Sequence, residues 1–244
     1  MAEFPLAGLK VLDFTRVVAG PYATRMLSDL GADVLKVEPP EGDVTRKLGN
    51  PGEGVSGYYL QQNIGKRNIC VDLKAPGARE LILKLAAEAD IVTENFRPGI
   101  MDKFGIGWDD LARVNPGLIM LSISGYGQNG PDRNKAAYAP VLHAQSGLIA
   151  RQAEIGEAKP VDIQLAVADS YSSLHGIIAI LSALRVRDQT GDGQHIDLAM
   201  ISVLHSVDDY AYWSMTMPIG RSTMTGRSPK KIASGMHRKD AVSW

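Results

Sequence analysis

The first 130 residues alternate between short apolar runs and longer segments that carry one apolar stripe. Val11–Phe14, Val34–Val37, Ile69–Leu73, Ile91–Thr93 and Leu118–Ser122 have the length and apolar content of buried strands. Between them, Pro21–Leu30 reads as a helix closed by Gly31. Pro76 opens a second helix in which Leu81, Leu85 and Ala89 recur at spacing four, and Trp108–Val114 reads as a third, shorter one. This alternation predicts an α/β fold, a mostly parallel sheet flanked by helices. After Pro131 the pattern turns helical. Tyr138–Ile149 reads as one helix, and Ser170–Arg187 as another with Leu174, Ile177, Ile178, Leu181 and Leu184 on one face. Gln194–Leu198 is strand-like, and Ala199–Trp213 is a further helix candidate. From Pro218 the chain is polar, basic and rich in Gly and Ser, with no core-facing period. Residues 1–215 are therefore expected to form one domain and residues 216–244 a linker or tail.

The composition removes several function classes. A net charge of -1 provides no global basic field for nucleic acid. Hydrophobic residues at 45% and charged ones at 22% are ordinary for a globular protein. The one cysteine, Cys70, permits no disulfide within the chain, which fits a reducing compartment; its apolar surroundings predict a small buried side chain. Met1–Pro5 lacks the basic start and apolar core of a signal peptide, and no apolar window of about 18 residues is apparent. A cytoplasmic protein with no membrane segment is the expectation.

Candidate chemistry collects where predicted strands end. Lys36-Val37-Glu38 breaks at once on Pro39-Pro40 and runs on through Glu41 to Arg46. That places charged groups at the carboxyl edge of the sheet, where open α/β sheets bind ligands. The first strand is followed by Thr15-Arg16-Val17-Val18-Ala19-Gly20-Pro21, without the Gly-x-Gly-x-x-Gly of dinucleotide domains, and no phosphate-binding Walker sequence occurs. A ligand carrying phosphates and a planar base would need Arg or Lys donors beside apolar faces. Arg16, Lys36, Arg46, Lys66, Arg67, Arg97 and Lys103 supply the cations, and Phe96 adjoins Arg97. Taken singly, each is an ordinary solvated charge. His175, His195 and His205 lack metal-ligand spacing, so no metal is expected, and His195 with Asp197 on one strand face reads as structural support. Ser124 and Ser146 lack the Gly-x-Ser-x-Gly elbow.

Six blocks occur in order: Leu12–Arg16 with Ala19-Gly20-Pro21, Lys36–Arg46, Asn63–Arg67, Glu94–Gly99, Ser122–Pro131 and Gly191–Asp197. Over about residues 5–200 they resemble the family III coenzyme A transferases, also called the CaiB/BaiF family. The resemblance implies a Rossmann-like large domain that binds coenzyme A and is incomplete without a C-terminal return segment. It implies transfer of CoA from an acyl-CoA donor to a small carboxylic acid, in an interlocked homodimer, with CoA as substrate and no tightly bound cofactor. By resemblance, Arg16, Ala19, Lys36, Glu38, Lys66, Arg67, Asn95, Phe96, Arg97 and Lys103 lie at the CoA site. Asp169, in Ala166-Val167-Ala168-Asp169-Ser170, takes the place of the covalent nucleophile. Read from the residues alone, Asp169 is a helix N-cap, ionised at neutral pH near the ordinary carboxylate pKa of about 3.9.

Two departures from the family pattern stand out. Ala139 replaces an acidic residue that many relatives carry after the tyrosine aligned with Tyr138, and His143 replaces an expected glutamine. Relatives are also longer, adding a small domain with a glycine-rich loop. Two alternatives follow. One is a CoA-binding truncated member without catalysis. The other is an α-methylacyl-CoA racemase-like enzyme, which would need a His–Asp base pair.

Overall fold

A computed structural model describes residues 4–49, 56–156 and 158–208. Its six strands are β1 (Lys10–Asp13), β2 (Asp33–Glu38), β3 (Arg67–Cys70), β4 (Ile91–Glu94), β5 (Ile119–Ser124) and β6 (Gln194–Ala199). They form one parallel sheet in the order β3-β2-β1-β4-β5-β6. This is the strand order of doubly wound nucleotide-binding domains, and β1 is the point where the order reverses. The helices are α1 (Ala19–Asp29), α2 (Gly57–Asn63), α3 (Ala78–Ala87), α4 (Ile100–Lys103), α5 (Trp108–Val114), α6 (Ala139–Gln145), α7 (Leu148–Gly156), α8 (Val167–Thr190) and α9 (Met200–Val207).

Alternation along the strands feeds two cores. Val11, Val34, Ile91, Ile119 and Leu121 face α1 and α8, whereas Leu12, Val37, Val92 and Met120 face α3 and α5. The long helix α8 lies close on β5. A Cβ on Gly176 would stand 2.9 Å from Leu121 Cδ2, so a larger residue there would force the Leu121 side chain to move.

Several expectations are corrected. The edge strand β3 lies at Arg67–Cys70 rather than Ile69–Leu73, and Cys70 is exposed, because an edge strand has one open side. Helix α3 buries Ala78, Ile82 and Ala86, one residue out of step with the expected stripe, and Leu81 faces solvent. Gly147, in the left-handed region at φ 81°, splits the expected Tyr138–Ile149 helix into α6 and α7. Helix α8 runs Val167–Thr190, not Ser170–Arg187. It buries Ala168, Ser172, Ser173, Gly176, Ile177, Ile180, Ala183 and Leu184, while Leu174, Ile178 and Leu181 are exposed. In length and hydropathy α8 does match a membrane span, contrary to expectation, but its inner face packs on α1 and β5. The helices α2 and α4 had no sequence signal. The expected helix beyond Val207 and the tail 216–244 lie outside the described residues.

Beneath the switch point sits a buried ionic cluster. Asp13 ends β1 with no solvent exposure. It accepts hydrogen bonds from Thr15 N and Oγ1 at 2.8 and 2.5 Å, from Thr24 Oγ1 at 2.7 Å and from Lys66 Nζ at 3.1 Å. Lys36, also fully buried, donates to the Thr15 carbonyl at 2.5 Å and lies 3.4 Å from Asp43. Burial works to raise the Asp13 carboxyl, but the Lys66 and Lys36 charges together with the Thr15 and Thr24 hydrogen bonds outweigh it and hold the group well below the usual range. Burial brings Lys66 down to about 8 against the pull of Asp13. Asp13→Ala leaves the buried Lys66 ammonium without its carboxylate partner, while Lys36 keeps Asp43, and should cost about 3–5 kcal/mol, read as a lower urea midpoint.

Candidate active site

The site assembles at the carboxyl ends of β1 and β4, on either side of the switch point. The Phe14 amide donates to the Thr93 carbonyl at 2.8 Å, and there the chain leaves the sheet. Asn95, the residue after β4, then clasps the turn after β1. Its Oδ1 accepts from the Arg16 amide at 2.8 Å, and its Nδ2 donates to the Arg16 carbonyl at 2.7 Å. The Arg16 guanidinium lies 4.8 Å over the Phe96 ring, in cation–π geometry. Val17 adopts φ 70°, a strained conformation for a β-branched residue, and its amide points to Asp43 at 3.3 Å. That reversal brings the first amide of α1, at Ala19, to face α8.

Asp169 lies in the first turn of α8 as its third residue; the N-cap is Ala166. The backbone amides of Ala19 and of Asp169 itself lie near its carboxylate and favour its charge. It therefore sits between the positive ends of two helices, in a setting that favours negative charge. Burial nevertheless dominates and pushes its pKa up to about 6, which corrects the expectation of an ordinary carboxylate. At neutral pH the group is still mostly ionised, but it is more basic than a solvated aspartate.

Two adjoining hollows meet here. The larger, about 500 Å³, is lined by Arg16, Ala19, Asn95, Arg97, Tyr138 and Asp169 among others. The second, about 390 Å³, is walled by Phe14, Val37, Val71, Leu73, Phe96 and Phe104. Arg16, Glu41 and Phe96 border both. One elongated cleft results, with an apolar end, a cationic middle and a carboxylate at the other end.

The predicted site residues divide in two. Arg16, Ala19, Asn95, Phe96, Arg97 and Asp169 meet in the cleft. Lys36 and Lys66 do not, since both are committed to the ionic cluster below. Glu38 borders the second hollow, yet its carboxylate is tied inward. It accepts from Arg46 Nε and Nη2 at 2.7 and 2.9 Å, Tyr59 Oη at 2.6 Å and Asn68 Nδ2 at 2.7 Å. Burial would raise Glu38, but the hydrogen bonds from Arg46 and Tyr59 bring it below its ordinary value. Arg67 pairs with Asp33 at 2.5 Å on the exposed edge, and Lys103 is exposed at the end of α4, outside both hollows. Lys47, Arg133 and Lys135 also line the larger hollow. Sequence reasoning passed over them, although Lys47 follows the Lys36–Arg46 block and the other two follow the Gly130-Pro131 turn.

His195 and Asp197 sit on β6 as expected of supports. His195 Nε2 pairs with Ser122 Oγ at 2.9 Å and its ring stacks on Trp108; Asp197 accepts from the Gln128 amide. Among the described residues no cluster of His, Cys, Asp and Glu could hold a metal ion.

Comparison with known proteins agrees with this architecture. The model of CoA-transferase family III matches residues 6–240. The beta subunit of succinyl-CoA–L-malate CoA-transferase from Chloroflexus aurantiacus is 41% identical over 208 residues, covering 84% of this chain and 51% of that protein. Human succinyl-CoA:glutarate CoA-transferase is 43% identical over 201 residues, 81% of this chain and 45% of that one. The crystal structure of a CaiB/BaiF family protein from Brucella suis superposes with a TM-score of 0.81 at 40% identity, over 93% of this chain and 60% of that chain. The chain belongs to CoA-transferase family III. It spans about half the length of the curated relatives it matches.

The raised Asp169 pKa predicts a stability trade. The penalty for ionising this buried carboxylate is full above about pH 6, shrinks as pH falls below it, and is gone only below the unfolded value near 3.8. Asp169→Asn should therefore raise the melting midpoint at pH 7.5, by about 1 kcal/mol of stability, with the gain shrinking at pH 5. Thermal melts at the two pH values decide it.

Proposed function

We propose that this chain carries the CoA-binding cleft and the nucleophile of an acyl-CoA:carboxylate CoA-transferase. The observation that carries the reading is Asp169, a half-buried carboxylate at one end of an elongated cationic cleft with an apolar far end. In this reading the adenine of CoA lies in the hollow walled by Phe14, Phe96 and Phe104. Arg16, Arg97 and the neighbouring lysines hold its phosphates, and the pantetheine arm leads the thioester to Asp169.

The Asp169 carboxylate attacks the thioester carbonyl, and CoA thiolate leaves as a mixed anhydride forms. The thiolate then attacks the aspartyl carbonyl, giving an aspartyl-CoA thioester and releasing the donor acid. The acceptor carboxylate attacks that thioester, and the steps run in reverse to yield the new acyl-CoA and free Asp169. Thioester is exchanged for thioester, so the energy of the bond is kept throughout. The raised basicity of Asp169 helps it attack, and the Ala19 amide is placed to stabilise oxyanion charge on the aspartyl carbonyl. Relatives named for succinyl-CoA, L-malate and glutarate make succinyl-CoA the first donor to try, with short dicarboxylic acids as acceptors.

The racemase-like alternative requires a free histidine base. His143 is fully buried with both ring nitrogens engaged, so it presents none to the cleft. The reading includes a homodimer, and the exposed apolar row Leu174, Ile178 and Leu181 on α8 supports a covered face there.

The test is incubation with succinyl-CoA followed by hydroxylamine, with peptide mass spectrometry. A hydroxamate at Asp169 that needs acyl-CoA and disappears in Asp169→Asn is expected. CoA binding without modification would instead mark a binding protein without exchange. Arg97→Ala should weaken CoA binding roughly tenfold, as loss of one charge-assisted contact does, measured by calorimetry.

A further inference from the structure

The first turn of α8 has an unusual set of acceptors. A helix begins with amides that lack intrahelical partners. Ala166, at the N-cap, has no side chain to accept them. The Val167 amide donates to the Leu165 carbonyl at 2.8 Å, and the Ser170 amide begins the intrahelical ladder on the Ala166 carbonyl at 2.9 Å. The buried Ala168 amide donates to Nε2 of His143 at 3.1 Å, across from α6. An amide can only donate, so Nε2 is the bare nitrogen of the ring, and Nδ1 carries the proton. That proton is given to Oδ1 of Asp162 at 2.9 Å. Asp162 lies in the segment leading into α8, and its Oδ1 also accepts from the Ile163 amide at 2.9 Å. His143 itself has no exposed surface.

We infer that the Asp162–His143 pair is a positioning device for Asp169: it fixes the imidazole with Nε2 bare, and the ring caps α8 in place of an N-cap side chain. The physical need is specific. An acidic side chain at the third position of a helix ordinarily folds back onto free amides at the helix start. With the Ala168 amide already satisfied by the His143 ring, one amide that would compete for the Asp169 carboxylate is removed, and the carboxylate stays directed toward Ala19 and the cleft. Asp162 does for His143 what a second partner does for any working imidazole, selecting which nitrogen is protonated. Without Asp162, the ring is free to place N–H against N–H at Ala168, and the helix start loses its acceptor.

This inference rests on the transferase reading for its kinetic arm but not for its structural arm. The structural readout is the nitrogen-15 spectrum of the histidines at pH 7. His143 should show a protonated Nδ1 and a bare Nε2, and Asp162→Ala should abolish that single tautomer. The kinetic readout is the rate of acyl-CoA-dependent hydroxamate formation at Asp169, beside the affinity for CoA. His143→Leu and Asp162→Ala should slow modification roughly ten- to a hundredfold, with CoA affinity unchanged within a factor of two, since a misdirected nucleophile loses rate rather than binding. His143→Gln, whose amide oxygen can accept from Ala168, should restore most of the rate. Circular dichroism identifies any variant that fails to fold, and the Gln variant then carries the comparison with wild type. A protonated Nε2 in the wild type, or equal rates for the Leu and Gln variants, would overturn the inference. Absence of any modification in the wild type would overturn the transferase reading instead, leaving the tautomer result to stand or fall by itself.

Discussion

Everything at the ligand-facing edge of this sheet rests on Asp13. It ends the strand at which the sheet order reverses, with no water around it and with cations pressing from two sides. Thr15 and Thr24 complete its hydrogen bonding, so the turn into α1 and the second turn of α1 are held by one carboxylate. Lys66 brings in the segment before β3, and Lys36, through the Thr15 carbonyl, ties β2 to the same turn. Buried ion pairs contribute little net stability against an apolar replacement, but removing one member is costly. The cluster therefore works as a geometric constraint. It fixes the backbone between Thr15 and Ala19, including the strained Val17, from which the Ala19 amide faces Asp169.

Asp169 shows how opposing forces are set against one another. Two helix starts and the Ala19 amide favour its charge, and burial opposes it more strongly. The outcome is a carboxylate still charged at neutral pH but more basic than a solvated one. A fully exposed aspartate would be ionised yet weakly nucleophilic, and a fully buried one would be protonated and inert. Placing the group at the third position of α8, at the mouth of the cleft, lies between the two.

Strand positions were largely legible, because β-branched runs flanked by turn residues have few other readings. The helical faces were less so. Helix α3 carries Leu81, Ile82, Leu83 and Leu85 together, so two overlapping stripes fit the sequence and only packing against Ile106 and Leu111 selects the one containing Ile82. In α8 the buried face mixes small residues with Ile177, Ile180 and Leu184, while Leu174, Ile178 and Leu181 point outward. A rule that seeks bulky side chains therefore found Ile177 and Leu184 but set the stripe too far round the helix. At the site, the loop-end residues Arg16, Asn95, Phe96 and Arg97 were readable from their place after strands. Lys36 and Lys66 were misread as open cations because a buried lysine and a surface lysine look identical in sequence. What separates them is a partner 53 residues away in the case of Lys66 and Asp13. His143 was visible only as a departure from a pattern, with nothing to name Asp162 or the Ala168 amide as its partners.

Ala19 exchanges both backbone groups with α8: its amide reaches Asp169, and its carbonyl accepts from Ser173 Oγ at 2.6 Å across a separation of 154 residues. Contacts so distant along the chain close late, because the entropy of the intervening loop is spent before they return anything. During synthesis the first strands and α1 emerge well before α8 does. Until α8 docks, Asp169 is an ordinary solvated aspartate with ordinary acidity. In the proposed reading the nucleophile is thus completed only when the domain is, and a nascent or partly unfolded chain carries no such carboxylate.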